Sequence, residues 1–148
     1  MNIFEAPSAW EIEDLKSTDD WCFEIDESDG ILLRDSIKSL FEQDRDLFSY
    51  SPNEFNFGSS WEHIEKAVAE AHHRKGISLI RGLPREDLNQ DEFRLLSWAI
   101  GLKAGVARPQ GLASQYISAV QDAGTDYRAA NGRGYSSNAE LDFHVDVA

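Results

Sequence analysis

Cysteine and long apolar runs are nearly absent from this sequence. The single cysteine, Cys22, cannot close an internal disulfide and excludes a zinc site made of cysteines, and such low usage is typical of a reducing compartment. No stretch of roughly 18 uncharged apolar residues occurs, and residues 1–10 lack the basic start and apolar run of a secretory signal. We therefore expect a soluble, cytoplasmic protein with no membrane partner.

Positive charge is also scarce. Lys and Arg number 14 against 27 Asp and Glu, which gives a formal net charge of -13. Because nucleic acids need clustered Lys and Arg to neutralise their phosphates, a nucleic-acid partner is excluded. The acidity is uneven, since residues 1–75 hold 18 acidic and 7 basic side chains. A solvated, solubilising surface explains this more simply than a specific basic partner.

Apolar residues recur at helical spacing in three places. The predicted helices cover residues 31–47, residues 60–75 and the stretch from Asn89 to Gly101. Ser59 with Glu62, and Asn89 with Glu92, have the form of capping boxes, which predicts where the second and third helices begin. Within residues 1–30 the acids favour disorder, whereas the interspersed aromatics favour an arm docked on the domain.

Short strands are predicted after the second helix and near the end of the sequence. They cover residues 77–80, 116–120 and 141–147, and turn-forming glycines separate the later ones. Helices come first and strands later, so the fold class is α+β. We divide the chain into an acidic N-terminal segment with one helix, residues 1–59, and a domain over residues 60–148.

A histidine and an aspartate two residues apart lie in the last predicted strand. Four apolar residues alternate along residues 141–147, which places His144 and Asp146 together on the opposite face. Side chains at this spacing on a strand lie about 6 to 7 Å apart, close enough to bind one ion. Non-haem iron(II) oxygenases hold the metal with two histidines and one carboxylate. The pair therefore fits two of three ligands.

The spacing alone is weak, because acids occupy 27 of 148 positions and an acid two residues after a histidine is common by chance. His63 and Glu65 repeat it inside the predicted helix 60–75, where residues i and i+2 are about 200° apart and cannot bind one ion. We interpret His63, and likewise His72 and His73, as helix-surface residues.

The segments that precede the pair occur in a telling order. They read GISLIRGLP at residues 76–84, WAIGL at 98–102, RPQ at 108–110, YISAV at 116–120, RGYSSN at 133–138 and LDFHVD at 141–146. In this order, about residues 60–148 resemble the amino-terminal part of the taurine dioxygenase-like family of iron(II)- and 2-oxoglutarate-dependent oxygenases.

The resemblance implies a fold and a chemistry. The fold would be N-terminal helices packed on the beginning of a double-stranded β-helix, or jelly roll, which is incomplete in this sequence. His144 and Asp146 would bind Fe(2+), with 2-oxoglutarate as co-substrate and oxidation of a C–H bond of a small-molecule substrate as the reaction. The family's second histidine and its 2-oxoglutarate-binding arginine lie far downstream and have no counterpart here.

In this family the loop before the iron-binding strand lies at the mouth of the barrel. The resemblance makes Tyr135, Asn138 and Glu140 candidate contacts to the substrate or to the metal ligands, although ordinary turn formation explains the Asn and its serine neighbours at least as well. Taurine-binding relatives have an Asn where this chain has Glu140. With Asp142 on the same face, a sulfonate would be repelled, so a taurine-like substrate is disfavoured.

A second hypothesis is that the chain is not catalytic. It would be a truncated family fragment or an acidic interaction module, because two protein ligands hold a labile metal poorly. A half jelly roll leaves strand edges unpaired, which predicts self-association through them. A zinc hydrolase using His144 and Asp146 is disfavoured, since the sequence lacks His-Glu-x-x-His and hydrolytic zinc usually takes three protein ligands.

Overall fold

Three α-helices and two strands form in the part of the chain that the computed structural model describes, residues 8–109, 115–120, 122 and 124. The elements are strand β1 (Cys22–Glu24), helix α1 (Glu27–Leu40), helix α2 (Ser60–His73), strand β2 (Leu79–Arg81) and helix α3 (Gln90–Ala104). All of them lie in one compact unit, Met1–Ala107, and Arg108–Ala148 forms a second unit. The division between the two units follows Ala107. The boundary predicted at residue 59 stays a prediction.

The two strands form a parallel pair in which Cys22, Phe23 and Glu24 lie opposite Leu79, Ile80 and Arg81. The pairing extends one residue beyond each end of β1, since the Leu79 N–H donates to the Trp21 carbonyl at 2.8 Å and the Ile25 N–H donates to the Arg81 carbonyl at 3.0 Å. The sequence predicted β2, two residues earlier, but not β1. The acidic segment therefore contributes a strand to the sheet, so docking prevails over disorder for its residues 22–24.

Helix α1 begins and ends earlier than the predicted range of 31–47, so that prediction was wrong at both ends. It begins at Glu27 because the Asp26 carboxylate caps it, accepting the Asp29 N–H at 2.8 Å. It ends at Leu40 because Phe41 is extended, with ψ of 123°. The apolar residues Leu47 and Phe48 belong to a separate single-turn 3-10 helix, Leu47–Ser49.

The buried Tyr50 side chain holds the end of α1. Its hydroxyl donates to the Leu40 carbonyl at 3.1 Å and accepts the Glu42 N–H at 3.1 Å. The hydroxyl thus satisfies one of the carbonyls that the last helical turn leaves without an intrahelical donor.

We expect Tyr50→Phe to lower the free energy of unfolding by about 1–2 kcal/mol, because a carbonyl and an amide in partly buried hydrogen bonds each lose their partner. Urea denaturation measures the change. Ser39→Ala, which removes an exposed hydroxyl from the same helix end, should change the value by less than about 0.5 kcal/mol. Equal effects of the two substitutions would contradict the role given to Tyr50.

The prediction of α2 over 60–75 is confirmed to within two residues, but its capping box is wrong. Ser59 has helical φ and ψ and makes no side-chain cap. Helix α3 begins as predicted, with a complete capping box between Asn89 and Glu92. It continues past Gly101 and ends at Ala104, before Gly105.

The three helices and the strand pair enclose one apolar core. A row of aromatic rings crosses it, from Tyr50 through Phe55 and Phe57 to Trp61, with successive ring centroids 5.9, 6.1 and 6.3 Å apart. The buried apolar residues are Ile25, Leu33, Ile37, Tyr50, Phe55, Phe57, Ile64, Ala67, Leu88, Leu95, Leu96, Trp98 and Ala99. In the described part of the chain, no helix combines the length and apolar character needed to cross a membrane.

Residues 116–120 do not form the predicted strand. Tyr116 is a bend and residues 117–120 have no regular structure. Their apolar side chains are not buried on one face, since Tyr116 is 44% and Val120 is 80% exposed. Without a buried face, period-two alternation does not stabilise a strand. The strand predicted over 141–147, and the jelly roll that it would begin, lie outside the described residues.

An ion pair anchors the loop between α1 and α2. Both Arg45 Nη2 to Glu54 carboxylate distances, 3.0 and 2.8 Å, are hydrogen bonds, and the guanidinium lies 3.7 Å from the Tyr50 ring centroid. The pKa of Glu54 is lowered from its ordinary value of 4.5. The hydrogen bond from the Ser51 N–H has the largest effect, and the hydrogen bond from Arg45 has the second largest. A carboxylate with a lowered pKa stabilises the fold above its ordinary pKa and loses that contribution as the pH falls through the lowered pKa.

We therefore expect Glu54→Gln to flatten the loss of stability between about pH 5 and pH 3, because the substituted side chain no longer takes up a proton on unfolding. Denaturation midpoints at a series of pH values measure the slope. Glu62→Gln, at an exposed site on α2, serves as the matched control. The account fails if the two variants have the same slope as each other.

Candidate functional site

The residues that the sequence nominated for a metal centre lie outside the described residues. These are the candidate ligands His144 and Asp146 and the candidate contacts Tyr135, Asn138 and Glu140. Within the described ranges, no three His, Cys, Asp or Glu side chains converge closely enough to hold a metal ion. The helices and strands therefore supply a scaffold, and the metal site remains a prediction from sequence.

His63 is not the plain surface residue that the sequence suggested. Its side chain is 42% exposed, and Nε2 lies 3.9 Å from Oδ2 of Asp29, whose side chain is 8% exposed. His72 and His73 are exposed, as expected, with ring centroids 6.0 Å apart. Glu65 is exposed on α2 and does not join His63 in a metal site.

Asp29 joins the start of α1 to the start of α2. Ser59 Oγ donates to Asp29 Oδ1 at 2.6 Å, and Ser60 Oγ donates to the Asp29 backbone carbonyl at 3.0 Å. The hydrogen bond between Ser59 and Asp29 explains the missing capping box, because the Ser59 hydroxyl binds Asp29 instead of capping α2. The pKa of Asp26 is lowered from its ordinary value. The hydrogen bond from the Asp29 N–H has the largest effect, the hydrogen bond from the Ser28 hydroxyl has the second largest, and His63 has a smaller one.

Sequence reasoning missed this buried carboxylate, although a signal was present. Asp29 stands four residues before Leu33 and eight before Ile37, both fully buried, so all three share one face of α1. An acid in the apolar stripe of a helix indicates a buried acid with polar partners.

The Asp29 cluster does not have the order of a catalytic triad. In a triad the histidine stands between the nucleophilic hydroxyl and the carboxylate. Here the carboxylate stands between Ser59 and His63, so the imidazole is not placed to take the serine proton. The cluster is a structural junction that fixes the angle between two helices.

Of the arginines at positions 81, 108, 128 and 133, the structure describes the first two. Arg81 is exposed on β2, and Arg108 is exposed in the second unit. Arg128 and Arg133 lie outside the described residues. The sequence nominated none of them as a 2-oxoglutarate ligand, and the described geometry adds no reason to do so.

Comparison with known proteins gives one distant likeness. The chain is 21% identical over 141 residues to FR-33289 synthase of Streptomyces rubellomurinus. That relative is an enzyme by name. The match covers 95% of this chain, so it includes most of the acidic N-terminal segment and most of residues 60–148. No family model matches the sequence.

The chain spans 42% of the length of this relative. The likeness to a synthase supports an enzyme in general and does not define the reaction.

Proposed function

We propose that this chain has the function of an iron(II)- and 2-oxoglutarate-dependent dioxygenase of the taurine dioxygenase-like family, acting on a C–H bond of a small molecule. The observation that carries the proposal is the ordered set of segments that ends in His144 and Asp146. The match to an enzyme over 95% of the chain supports it.

The donor set fits the metal. An imidazole nitrogen and a carboxylate oxygen are the two ligand types of the non-haem iron(II) site, and their i, i+2 spacing suits a strand. His144 and Asp146 would hold the ion, which when bound activates oxygen with 2-oxoglutarate as the electron donor. The family's remaining histidine and arginine have no counterpart in these 148 residues.

The residues around the pair would select the substrate by charge. If the alternation of the predicted strand continues back to the residue before it, Glu140 and Asp142 share the face of His144 and Asp146. Two carboxylates beside the reacting centre repel a sulfonate or phosphate and favour a neutral or cationic small molecule. Tyr135 and Asn138 would supply hydrogen bonds to such a substrate, since both carry groups that donate as well as accept.

A non-catalytic role is the second candidate, and a specific observation favours it. Lys and Arg number 14 against 27 Asp and Glu, and this excess of acidic side chains would suit a basic partner. The chain would then serve as an acidic binding module.

Succinate formation separates the two candidates. The chain is incubated with iron(II), 2-oxoglutarate and oxygen, and succinate is measured against iron without protein. Succinate above that background, lost in the His144→Ala variant, is the expected result for the dioxygenase. Succinate at the background level supports the binding module for the 148-residue chain.

A further inference from the structure

A groove with charged walls lies between α1 and the loop that follows β2. Its volume is about 510 Å³, within the range of about 300–1,000 Å³ that small-molecule sites occupy. One wall is α1 from Glu27 to Arg34, and the other is the loop over residues 82–87. Both walls belong to the unit Met1–Ala107.

The floor of the groove is backbone. Gly30 and Gly82 meet there, because a Cβ on Gly30 would lie 3.4 Å from the Gly82 carbonyl oxygen. Gly82 itself has φ of +80°, which is strained for any side chain. Two facing glycines keep the groove open between its charged walls.

Arg34 offers an unused pair of donors to this groove. Its Nε donates to the Asp35 carboxylate at 2.8 Å, which leaves both terminal NH₂ groups without a hydrogen-bond acceptor among the described residues. The side chain is only 30% exposed, so packing restricts its position. The second guanidinium of the groove, Arg85, lies over the Phe93 ring at 4.9 Å and donates to the Leu88 carbonyl at 3.4 Å.

Three carboxylates line the groove without a hydrogen-bond or ion-pair partner among the described residues. Glu27, Glu86 and Asp87 line it, and none forms a hydrogen bond or an ion pair within 4 Å of another described residue. Asp87 is near enough to contribute to the raised pKa of Arg34, after the larger effects of Asp35. The groove therefore presents a free guanidinium fork and free carboxylates, a pairing that matches a ligand with both charges.

We propose that this groove binds a small zwitterion that carries an ammonium and a carboxylate group, as a free amino acid or a short peptide does. The fork of Arg34 takes the ligand carboxylate, since guanidinium and carboxylate match in a bidentate geometry. Asp87 and Glu86 take the ammonium. A simple anion is disfavoured because three carboxylates line the groove, and a simple cation is disfavoured because Arg34 does.

Titration of the ¹⁵N-labelled chain tests the proposal, with amide shifts as the readout. Glycine and triglycine are the zwitterionic probes. Glycine represents a free amino acid and triglycine a short peptide, so their relative affinities distinguish these two ligand types. Acetate and methylammonium are the probes with one charge. We expect a zwitterion to shift amides of residues 27–34 and 82–87, and each single-charge probe to bind at least roughly tenfold more weakly, since one charged hydrogen bond is worth about that factor.

Substitutions assign the binding to the named side chains. Arg34→Gln and Asp87→Asn are each expected to weaken the zwitterion roughly tenfold or more. Arg94→Gln, at a 52% exposed arginine on α3 outside the groove, should leave binding unchanged. Asp87 is exposed in a loop, so its variant keeps the test valid if the Arg34 variant does not fold. No shift with either zwitterion, equal binding of acetate, or unchanged binding in Asp87→Asn would overturn the proposal.

Discussion

Gly82→Ala is expected to lower the free energy of unfolding by about 3 kcal/mol or more, since a strained backbone and an overpacked contact each cost about 1–3 kcal/mol. Gly82 has φ of +80°, where an alanine is strained. Its Cβ would also lie 2.1 Å from the carbonyl oxygen of Ile25. Because that oxygen belongs to the backbone just after β1, it cannot move aside without disturbing the strand pair. Urea denaturation at neutral pH measures the loss.

Gly101→Ala is the matched control, because it adds the same methyl group to a helical glycine with no atom within 4 Å of the new Cβ. A helix gains about 0.5–1 kcal/mol when alanine replaces an interior glycine. The two glycine substitutions should therefore have opposite signs. A Gly82→Ala chain as stable as the wild type would show that β1 and β2 do not pair as described.

The second large effect is expected at Phe57, the largest of the fully buried side chains among the described residues. Phe57→Ala should cost about 3–5 kcal/mol, since it removes a buried ring and leaves a cavity. The ring lies between Phe55 and Trp61 in the aromatic row, so its neighbours also lose contacts. Thermal and urea denaturation both measure the change.

Ile12→Ala is the control for Phe57, because Ile12 is an apolar side chain that is 73% exposed. Its loss should change the free energy of unfolding by less than about 0.5 kcal/mol. A small cost at Phe57, comparable with that at Ile12, would mean that the aromatic row is not the packed centre of the unit.

Capping motifs in the sequence predicted the start of a helix correctly where the same capping hydrogen bonds form in the folded structure. Asn89 and Glu92 form their capping box, and among the described residues their side chains hydrogen-bond only to the backbone at the start of α3. Ser59 has the same pattern with Glu62, but its hydroxyl is taken by Asp29, 30 positions earlier in the sequence. Capping motifs encode local geometry, and a tertiary partner can override them.

Two other features depended on contacts that are distant in sequence. Strand β1 is three residues long and pairs with a strand 57 positions later, between Cys22 and Leu79. The end of α1 is set by a hydroxyl ten residues beyond it, that of Tyr50. Neither contact leaves a periodic pattern in the sequence. The prediction from periodicity therefore extended α1 to Leu47 and did not include β1.

The candidate metal site was predicted by a different kind of argument. Strand alternation and the ordered segments before His144 and Asp146 nominate the pair, whereas His63 and Glu65 share its spacing only. The structure supports the rejection of the second pair, since Glu65 is exposed on α2 and His63 faces Asp29. It leaves the first pair as a proposal that measurement must decide.

Anaerobic titration of the chain with iron(II) tests that proposal most directly, because it needs neither substrate nor turnover. Removing a residue that orients a metal ligand already costs 10–100-fold in affinity, so His144→Ala and Asp146→Ala should each weaken binding by at least roughly tenfold. His63→Ala, which removes the histidine of the rejected pair, should bind iron(II) as the wild type does. Wild-type affinity in the His144 variant, or loss of binding in the His63 variant, would contradict the assignment of the metal to His144 and Asp146.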